Sequence, residues 1–153
     1  MSQLLLRRAT RADLPILLKF EQAIVEFERQ FDSSLASAGV SYYDLAGMID
    51  TPVVELLVAE IDREVVGSGY ARLEESKVYL KHRRHAYLGF MYVVPDRRGA
   101  GVNQQIIAAL TRWVLAQDVH ELRLDVYHDN QAAVRAYEKA GFRRHLTEMR
   151  RGL

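Results

Sequence analysis

The chain has 153 residues with 49% apolar side chains, three prolines and no cysteine, which favours one folded domain over residues 1–153 and excludes disulfides, zinc–thiolate sites and thiol nucleophiles. The net charge is +1, but residues 21–75 carry twelve acidic against three basic side chains, and residues 76–153 carry seven against fourteen. The first region therefore favours a cationic ligand and the second an anionic one, unless both are ordinary solvated faces.

Apolar spacing predicts the elements of the first half of the chain. The first helix is expected to open at a capping box formed by Thr10 and Asp13, and Gly39 interrupts its pattern. Two apolar runs separated by a polar turn predict a hairpin. In chain order these elements are a strand at 4–8, a helix from residue 10, a short helix from residues 41–44 to before Pro52, and hairpin strands at 53–61 and 65–73.

The second half predicts a crossover unit of two parallel strands joined by a helix. The nearly continuous apolar run at its start is typical of a strand buried on both faces. The order of all elements predicts a mixed α/β sheet with helices on both faces. The elements are a polar loop at 75–85, a strand at 87–94, a helix at 102–117, a strand at 122–127, a helix at 130–140 capped by Gly141, and a last strand at 142–149.

The junction between strand and helix at residues 94–103 is a candidate anion site. Gly99 and Gly101 let the backbone turn so that its N–H groups converge, and the following helix directs its positive end there. Arg98 adds a full charge. The segment lacks the Gly-Lys-Ser/Thr of a Walker loop, and Gln104 stands where a dinucleotide loop requires a third glycine. The predicted ligand is therefore a phosphate or pyrophosphate. The alternative is a glycine-rich turn with solvated arginines that binds no ligand.

A second candidate cluster lies on the helix predicted at 130–140. Asn130, Ala133 and Tyr137 share one face, with Asn130 at the N-cap. The small side chain at position 133 lets another group approach the helix closely. Tyr137 has an ordinary pKa near 10 and can hold and donate a proton. Taken alone, this pattern is more typical of a packed tyrosine beside a plain N-cap.

Together the two segments resemble the signature of the GCN5-related N-acetyltransferase (GNAT) superfamily, in their residues and in their separation. The resemblance implies that backbone groups of Val93 and Val94 bond the pantetheine arm and acetyl carbonyl of acetyl-CoA. It implies that Asn130 contacts the pantetheine from the other side and that Tyr137 protonates the departing thiolate. It also implies that the pyrophosphate loop consists of Arg98, Gly99, Ala100, Gly101 and Val102.

Two positions depart from the family pattern. The last loop position, usually Gly or Ala, is Asn103, whose short polar side chain either bonds a phosphate or weakens cofactor binding. The strand before the loop lacks the carboxylate that many members use as general base. An acceptor ammonium must lose a proton before it attacks, so another base is required. The remaining candidates are Glu26, Glu28, Glu74, His82, His85 and Glu148.

The resemblance implies a mixed, mostly antiparallel sheet with a central parallel strand pair that splays around the pantetheine, and helices on both faces. It implies an acetyl-CoA-dependent N-acetyltransferase that works by direct attack in a ternary complex, with an oxyanion held by a backbone N–H near Val93. The acidic region favours a small cationic amine as acceptor. A protein N-terminal or lysine acetyltransferase and a non-catalytic acyl-CoA-binding regulator stay open.

Other partners are judged from composition. The basic run at 81–85 lacks the aromatic side chains and recognition helix of a nucleic-acid site, so no nucleic acid is expected. No membrane attachment and no metal are expected, and the default location is cytoplasmic. A homodimer that shares sheet edges is compatible with the sequence.

Overall fold

The computed structural model describes residues 3–153, whose strands form one five-stranded mixed sheet with helices packed on both faces. None of the helices within these residues is long and apolar enough to cross a membrane. The strands are β1 (Leu4–Arg8), β2 (Val54–Ile61), β3 (Glu64–Glu75), β4 (Arg84–Val93) and β5 (Leu122–Arg123). The helices are α1 (Leu14–Glu28), α2 (Leu45–Asp50), α3 (Val102–Ala116) and α4 (Gln131–Lys139).

The strands lie in the order β1-β2-β3-β4-β5. The first four pair antiparallel, and β4 pairs with β5 in parallel, through Ala86 opposite Leu122 and Tyr87 opposite Arg123. Helix α3 provides the crossover that a parallel pair requires. The predicted mixed, mostly antiparallel sheet with one parallel pair is therefore confirmed.

Alternate side chains of β2 pack on opposite faces of the sheet, as the two-residue period of a strand requires. Leu57 and Ala59 are buried in the cluster that contains the apolar face of α3. Leu56 and Val58 are buried in the cluster that contains α1 and α2. Burial on both faces explains why the middle of β2, residues 56–59, is continuously apolar. Helices on both faces are thus confirmed.

The start of α1 differs in detail from the predicted capped helix. Asp13 Oδ2 accepts a hydrogen bond from the Thr10 backbone N–H at 2.7 Å, as in a capping box. Both terminal nitrogens of Arg7 donate to the same carboxylate, at 2.8 and 3.0 Å, and these hydrogen bonds connect the turn to β1. The first turn, Arg11–Asp13, is a 3-10 turn, and the regular helix begins at Leu14.

An irregularity in β4 separates it from β5. Phe90 has a φ of +56°, in the left-handed region, and the β3–β4 register shifts there. Ser68 Oγ donates to the Phe90 carbonyl at 2.9 Å, and the Phe90 side chain is buried, so packing holds this backbone in place. Such bulges bend a strand. Pairing with β5 ends at Tyr87, whereas β4 continues to Val93, which leaves an open gap beside its second half.

Two predicted strands are wrong in extent or existence. The strand expected at 122–127 is paired only over Leu122–Arg123, because β4 diverges beyond the second pair. The strand expected at 142–149 does not form, so β5 lies at the sheet edge. In the segment after α4, Arg144 contacts Glu138 and Arg150 contacts Asp32.

Candidate functional site

The loop after β4 has the backbone geometry of an anion cradle. Gly99 and Gly101 have φ of +81° and +83°, which residues with a Cβ rarely adopt. Gly101 is the N-cap of α3, and the Gln105 N–H donates to its carbonyl at 3.1 Å as the first helical bond. The N–H groups of the three residues before Gln105 therefore lack a helical acceptor and are available to a ligand.

The loop and α4 together line a cavity of about 570 Å³. Six of the residues predicted to bind the cofactor are brought together there: Val93, Arg98, Gly99, Gly101, Val102 and Asn103. Four further residues complete the lining: Arg97, Gln104, Ala136 and Lys139. Three cations thus surround the open N-terminus of α3, an arrangement that favours a polyanionic ligand.

Three predicted cofactor residues lie outside this lining. Val94 packs against the apolar clusters on both faces of the sheet. Ala100 is exposed in the loop between the two glycines. Asn130 caps α4, with its Oδ1 accepting the Ala133 N–H at 3.3 Å. Their cofactor contacts therefore stay predictions.

The backbone at the end of β4 presents polar groups toward the gap beside β5. The Val94 N–H donates to the Val66 carbonyl on β3 at 2.8 Å. Because successive residues of a strand direct their N–H groups to opposite sides, the Val93 N–H is directed away from β3. The Val93 carbonyl accepts Arg98 Nε at 2.7 Å, and the Arg98 guanidinium lies 5.5 Å from the centre of the Tyr92 ring. Arg98 therefore fixes the loop against the strand end.

Tyr137 projects from α4 beside the Phe142 ring, with ring centres 5.9 Å apart. Burial raises the pKa of the Tyr137 phenol above its usual value of 10, and the negative charge of Glu28 raises it further. Tyr137 therefore remains protonated across the neutral range. A phenol of this kind can donate a proton to a leaving thiolate.

Of the six base candidates, Glu28 is the one whose charge raises the pKa of the Tyr137 phenol. Burial raises the pKa of the Glu28 carboxyl, the hydroxyl of Tyr42 lowers it in part, and the charge of Asp32 raises it again. A raised carboxyl pKa makes a stronger base near neutral pH. Glu28 ends α1, so a residue more than one hundred positions before Tyr137 acts electrostatically on that phenol.

The other base candidates lie elsewhere. His82 pairs with Glu121 at 2.8 Å, and His85 contacts Glu74 at 3.2 Å near the start of β4. That end of the strand is roughly 25 Å from Val93 at the rise of an extended chain. Of the remaining two, Glu26 is exposed and pairs with Arg29, and Glu148 is exposed after α4.

Lys139 is the main cofactor candidate that sequence reasoning missed. It lies in the last turn of α4, one turn beyond Ala136, and both line the cavity. The sequence does contain a signal for it: Ala136 and Lys139 are three residues apart, so they share the helix face next to that of Tyr137. A lysine in a last helical turn also has an ordinary explanation, as a charge that complements the helix dipole, and the sequence does not distinguish the two.

We expect Lys139→Gln to weaken acetyl-CoA binding about tenfold, because it removes one charge-assisted contact to a phosphate. The loss should shrink as ionic strength rises, since salt screens the lysine in the native protein. Isothermal titration calorimetry with acetyl-CoA at low and high salt measures both effects. Lys77→Gln, in the exposed loop before β4, is the matched control, and equal losses in both variants would contradict the assignment.

Comparisons with known proteins identify the family of this chain. The sequence model of the acetyltransferase (GNAT) family matches residues 20–142. Thialysine N-epsilon-acetyltransferase of Bos taurus is 30% identical over 149 residues, which cover 92% of this chain and 85% of that protein. An acetyltransferase of Pectobacterium atrosepticum is 36% identical over 83 residues, 54% of this chain and 53% of that protein, so the match spans about half the length of that relative.

Solved structures share the fold. A Bacillus halodurans protein, solved as a tetramutant, superimposes with a TM-score of 0.86 at 21% identity, covering 97% of this chain and 99% of that one. A predicted acetyltransferase of Clostridium acetobutylicum, solved with acetyl-CoA, superimposes with a TM-score of 0.75 at 15% identity, covering 98% and 96%. At such identities the likeness shows the fold alone.

Proposed function

The chain belongs to the acetyltransferase (GNAT) family, and we propose that it transfers the acetyl group of acetyl-CoA to a small cationic amine by direct attack in a ternary complex. The observation that carries the proposal is the cavity lined by the glycine loop and α4, with Tyr137 next along α4 to the lining residue Ala136 and the charge of Glu28 acting on its phenol. In the proposed reaction Glu28 is the base and Tyr137 is the acid.

The donor would bind with its pyrophosphate at the N-terminus of α3 and among the cations of the cavity. Its thioester would then lie in the gap between β4 and β5, where the Val93 N–H is directed. That N–H would stabilise the negative oxygen of the tetrahedral intermediate. The pantetheine contacts of Val94 and Asn130 and the loop contact of Ala100 belong to the same proposal.

The proposed chemistry moves three protons. The acceptor ammonium gives one proton to Glu28, directly or through water, and the freed nitrogen forms a bond to the thioester carbon. The positively charged nitrogen of the tetrahedral intermediate loses a second proton to water, the carbon–sulfur bond breaks, and Tyr137 gives its proton to the sulfur. Glu28 then loses its proton to solvent and Tyr137 regains one, so that the amide, the CoA thiol and one released proton are the products. Holding both reactants together supplies much of the acceleration.

The cationic nature of the acceptor is supported by the charges near Glu28. Asp32 lies one helical turn later, and its charge acts on Glu28. The relative from Bos taurus is a thialysine N-epsilon-acetyltransferase, and thus acts on an amine. An acidic approach to the site attracts ammonium groups and repels anionic acceptors.

The test offers a panel of primary amines to the protein at low ionic strength and measures acetylation by the release of free CoA thiol. We expect turnover of cationic amines, falling with added salt, and lower rates with anionic amino compounds of similar size. Two other outcomes would favour the alternatives. No turnover with the panel, together with labelling of proteins by acetyl-CoA, would indicate a protein acetyltransferase. Tight acetyl-CoA binding with neither would indicate a non-catalytic regulator.

A further inference from the structure

Asp32 is a carboxylate with several polar partners, close to the proposed catalytic pair. Its Oδ1 accepts the Ser34 N–H at 2.9 Å and also contacts the Ser34 hydroxyl. Its Oδ2 accepts the Tyr127 hydroxyl at 3.2 Å, and the Tyr127 ring stacks on Phe31 with centres 5.8 Å apart. The Asp32 side chain is only 13% exposed. The hydrogen bonds from Ser34 lower the pKa of Asp32 to about 2, so it is an anion at any physiological pH.

The cation that faces this carboxylate comes from the segment after α4. Arg150 Nη2 lies 3.2 Å from Asp32 Oδ1, and Arg150 Nη1 donates to Ser34 Oγ at 3.0 Å. The segment that carries it, residues 141–153, forms neither helix nor strand, and the Arg150 side chain is 60% exposed. Because the arginine of this ion pair is exposed and its segment has no regular structure, another cation can replace it at Asp32.

Asp32 is placed to act on the acceptor. The Asp32 N–H donates to the Glu28 carbonyl at 3.2 Å, so the two residues are one helical turn apart. Side chains at this spacing have Cβ atoms about 5–6 Å apart. Glu28 in turn acts on Tyr137. An acceptor with its reactive nitrogen at Glu28 therefore has Asp32 within reach of a second positive group a few carbon atoms away.

We propose that Asp32, Ser34 and Tyr127 form a subsite for the second positive charge of a dicationic acceptor, and that Arg150 occupies this subsite until the acceptor displaces it. The inference rests on the proposed function, because it names the acceptor class of the same site. Arg150 presents to Asp32 the interaction that a second ammonium group would make. Acceptor binding and the contact of residues 141–153 with the loop after α1 are thus mutually exclusive.

The test compares a short linear diamine with the monoamine of equal carbon length in steady-state kinetics at saturating acetyl-CoA. We expect Asp32→Asn to raise the KM of the diamine about tenfold more than that of the monoamine, because only the diamine loses a charged partner. We expect Arg150→Gln to lower the KM of the diamine, because the competing cation is gone. Arg151→Gln, the exposed neighbour, is the matched control for charge.

Equal effects of Asp32→Asn on both amines, or a diamine KM raised by Arg150→Gln, would overturn the inference. If Asp32→Asn does not fold, the Arg150→Gln result still decides, since its side chain lies in the exposed segment. If the native protein acetylates neither amine, the proposed function fails separately. In that case calorimetry compares the affinity of the native protein for the diamine with that of Arg150→Gln. An equal affinity in the two proteins rejects the subsite.

Discussion

Replacing Tyr137 by phenylalanine is expected to lower kcat by about 10²- to 10³-fold, the range for loss of a positioned general acid. The ring contact with Phe142 is preserved by phenylalanine, so the fold and the acetyl-CoA affinity should stay unchanged. Steady-state kinetics measures kcat, and calorimetry measures the dissociation constant of acetyl-CoA.

Tyr79→Phe is the matched control, since this tyrosine is 79% exposed in the loop before β4. It should leave both quantities unchanged. An equal loss of kcat and of acetyl-CoA affinity in Tyr137→Phe would indicate a structural role for the hydroxyl. Full activity would remove Tyr137 from the mechanism and leave the proton to solvent.

Glu28→Gln is expected to lower kcat/KM by about 10²-fold, because the amide cannot accept the proton of the acceptor ammonium. The melting temperature should not fall, since the raised pKa of Glu28 records that burial penalises its charge. Glu26→Gln is the matched control on the same turn, with a carboxylate that is exposed and paired with Arg29.

The pH dependence separates a base from a merely attractive charge. Protonated Glu28 cannot accept a proton, so the native rate should rise as pH rises through its pKa, which lies above 4.5. The ratio of native to Glu28→Gln activity should therefore approach one at low pH and reach its plateau above that pKa. Using the ratio cancels titration of the acceptor amine. A ratio independent of pH would show that Glu28 acts by another route.

The local sequence pattern predicted most of the helices and strands, together with six of the residues that line the cavity. Glycines at a strand-to-helix junction allow the left-handed turns found at Gly99 and Gly101, which residues with a Cβ rarely adopt. Likewise, Asn130 at an N-cap and Tyr137 two turns later share one helix face through the helical period alone. Such features depend on residues a few positions away in the chain, which can be read directly from the sequence.

The prediction of a last strand at 142–149 was wrong for the opposite reason. Residues 142–149 have a strand-like composition, but a strand needs a partner edge, and β5 provides only Leu122–Arg123. The bulge at Phe90 directs β4 away from β5. It is accompanied by the hydrogen bond from Ser68 on β3 and by burial of Phe90 in the cluster that contains α1 and α2, contacts between distant residues that no local pattern records.

By itself, then, the sequence determined the anion loop, the capped helix of α4, the mixed sheet and the family resemblance. Only the tertiary structure revealed that the charge of Glu28 acts on Tyr137, that Lys139 lines the cavity beside the glycine loop, and that Arg150 pairs with Asp32. The physical reason is separation along the chain. Periodicity reports which face a residue takes on its own element, whereas the meeting of side chains 100 residues apart depends on how all elements pack together.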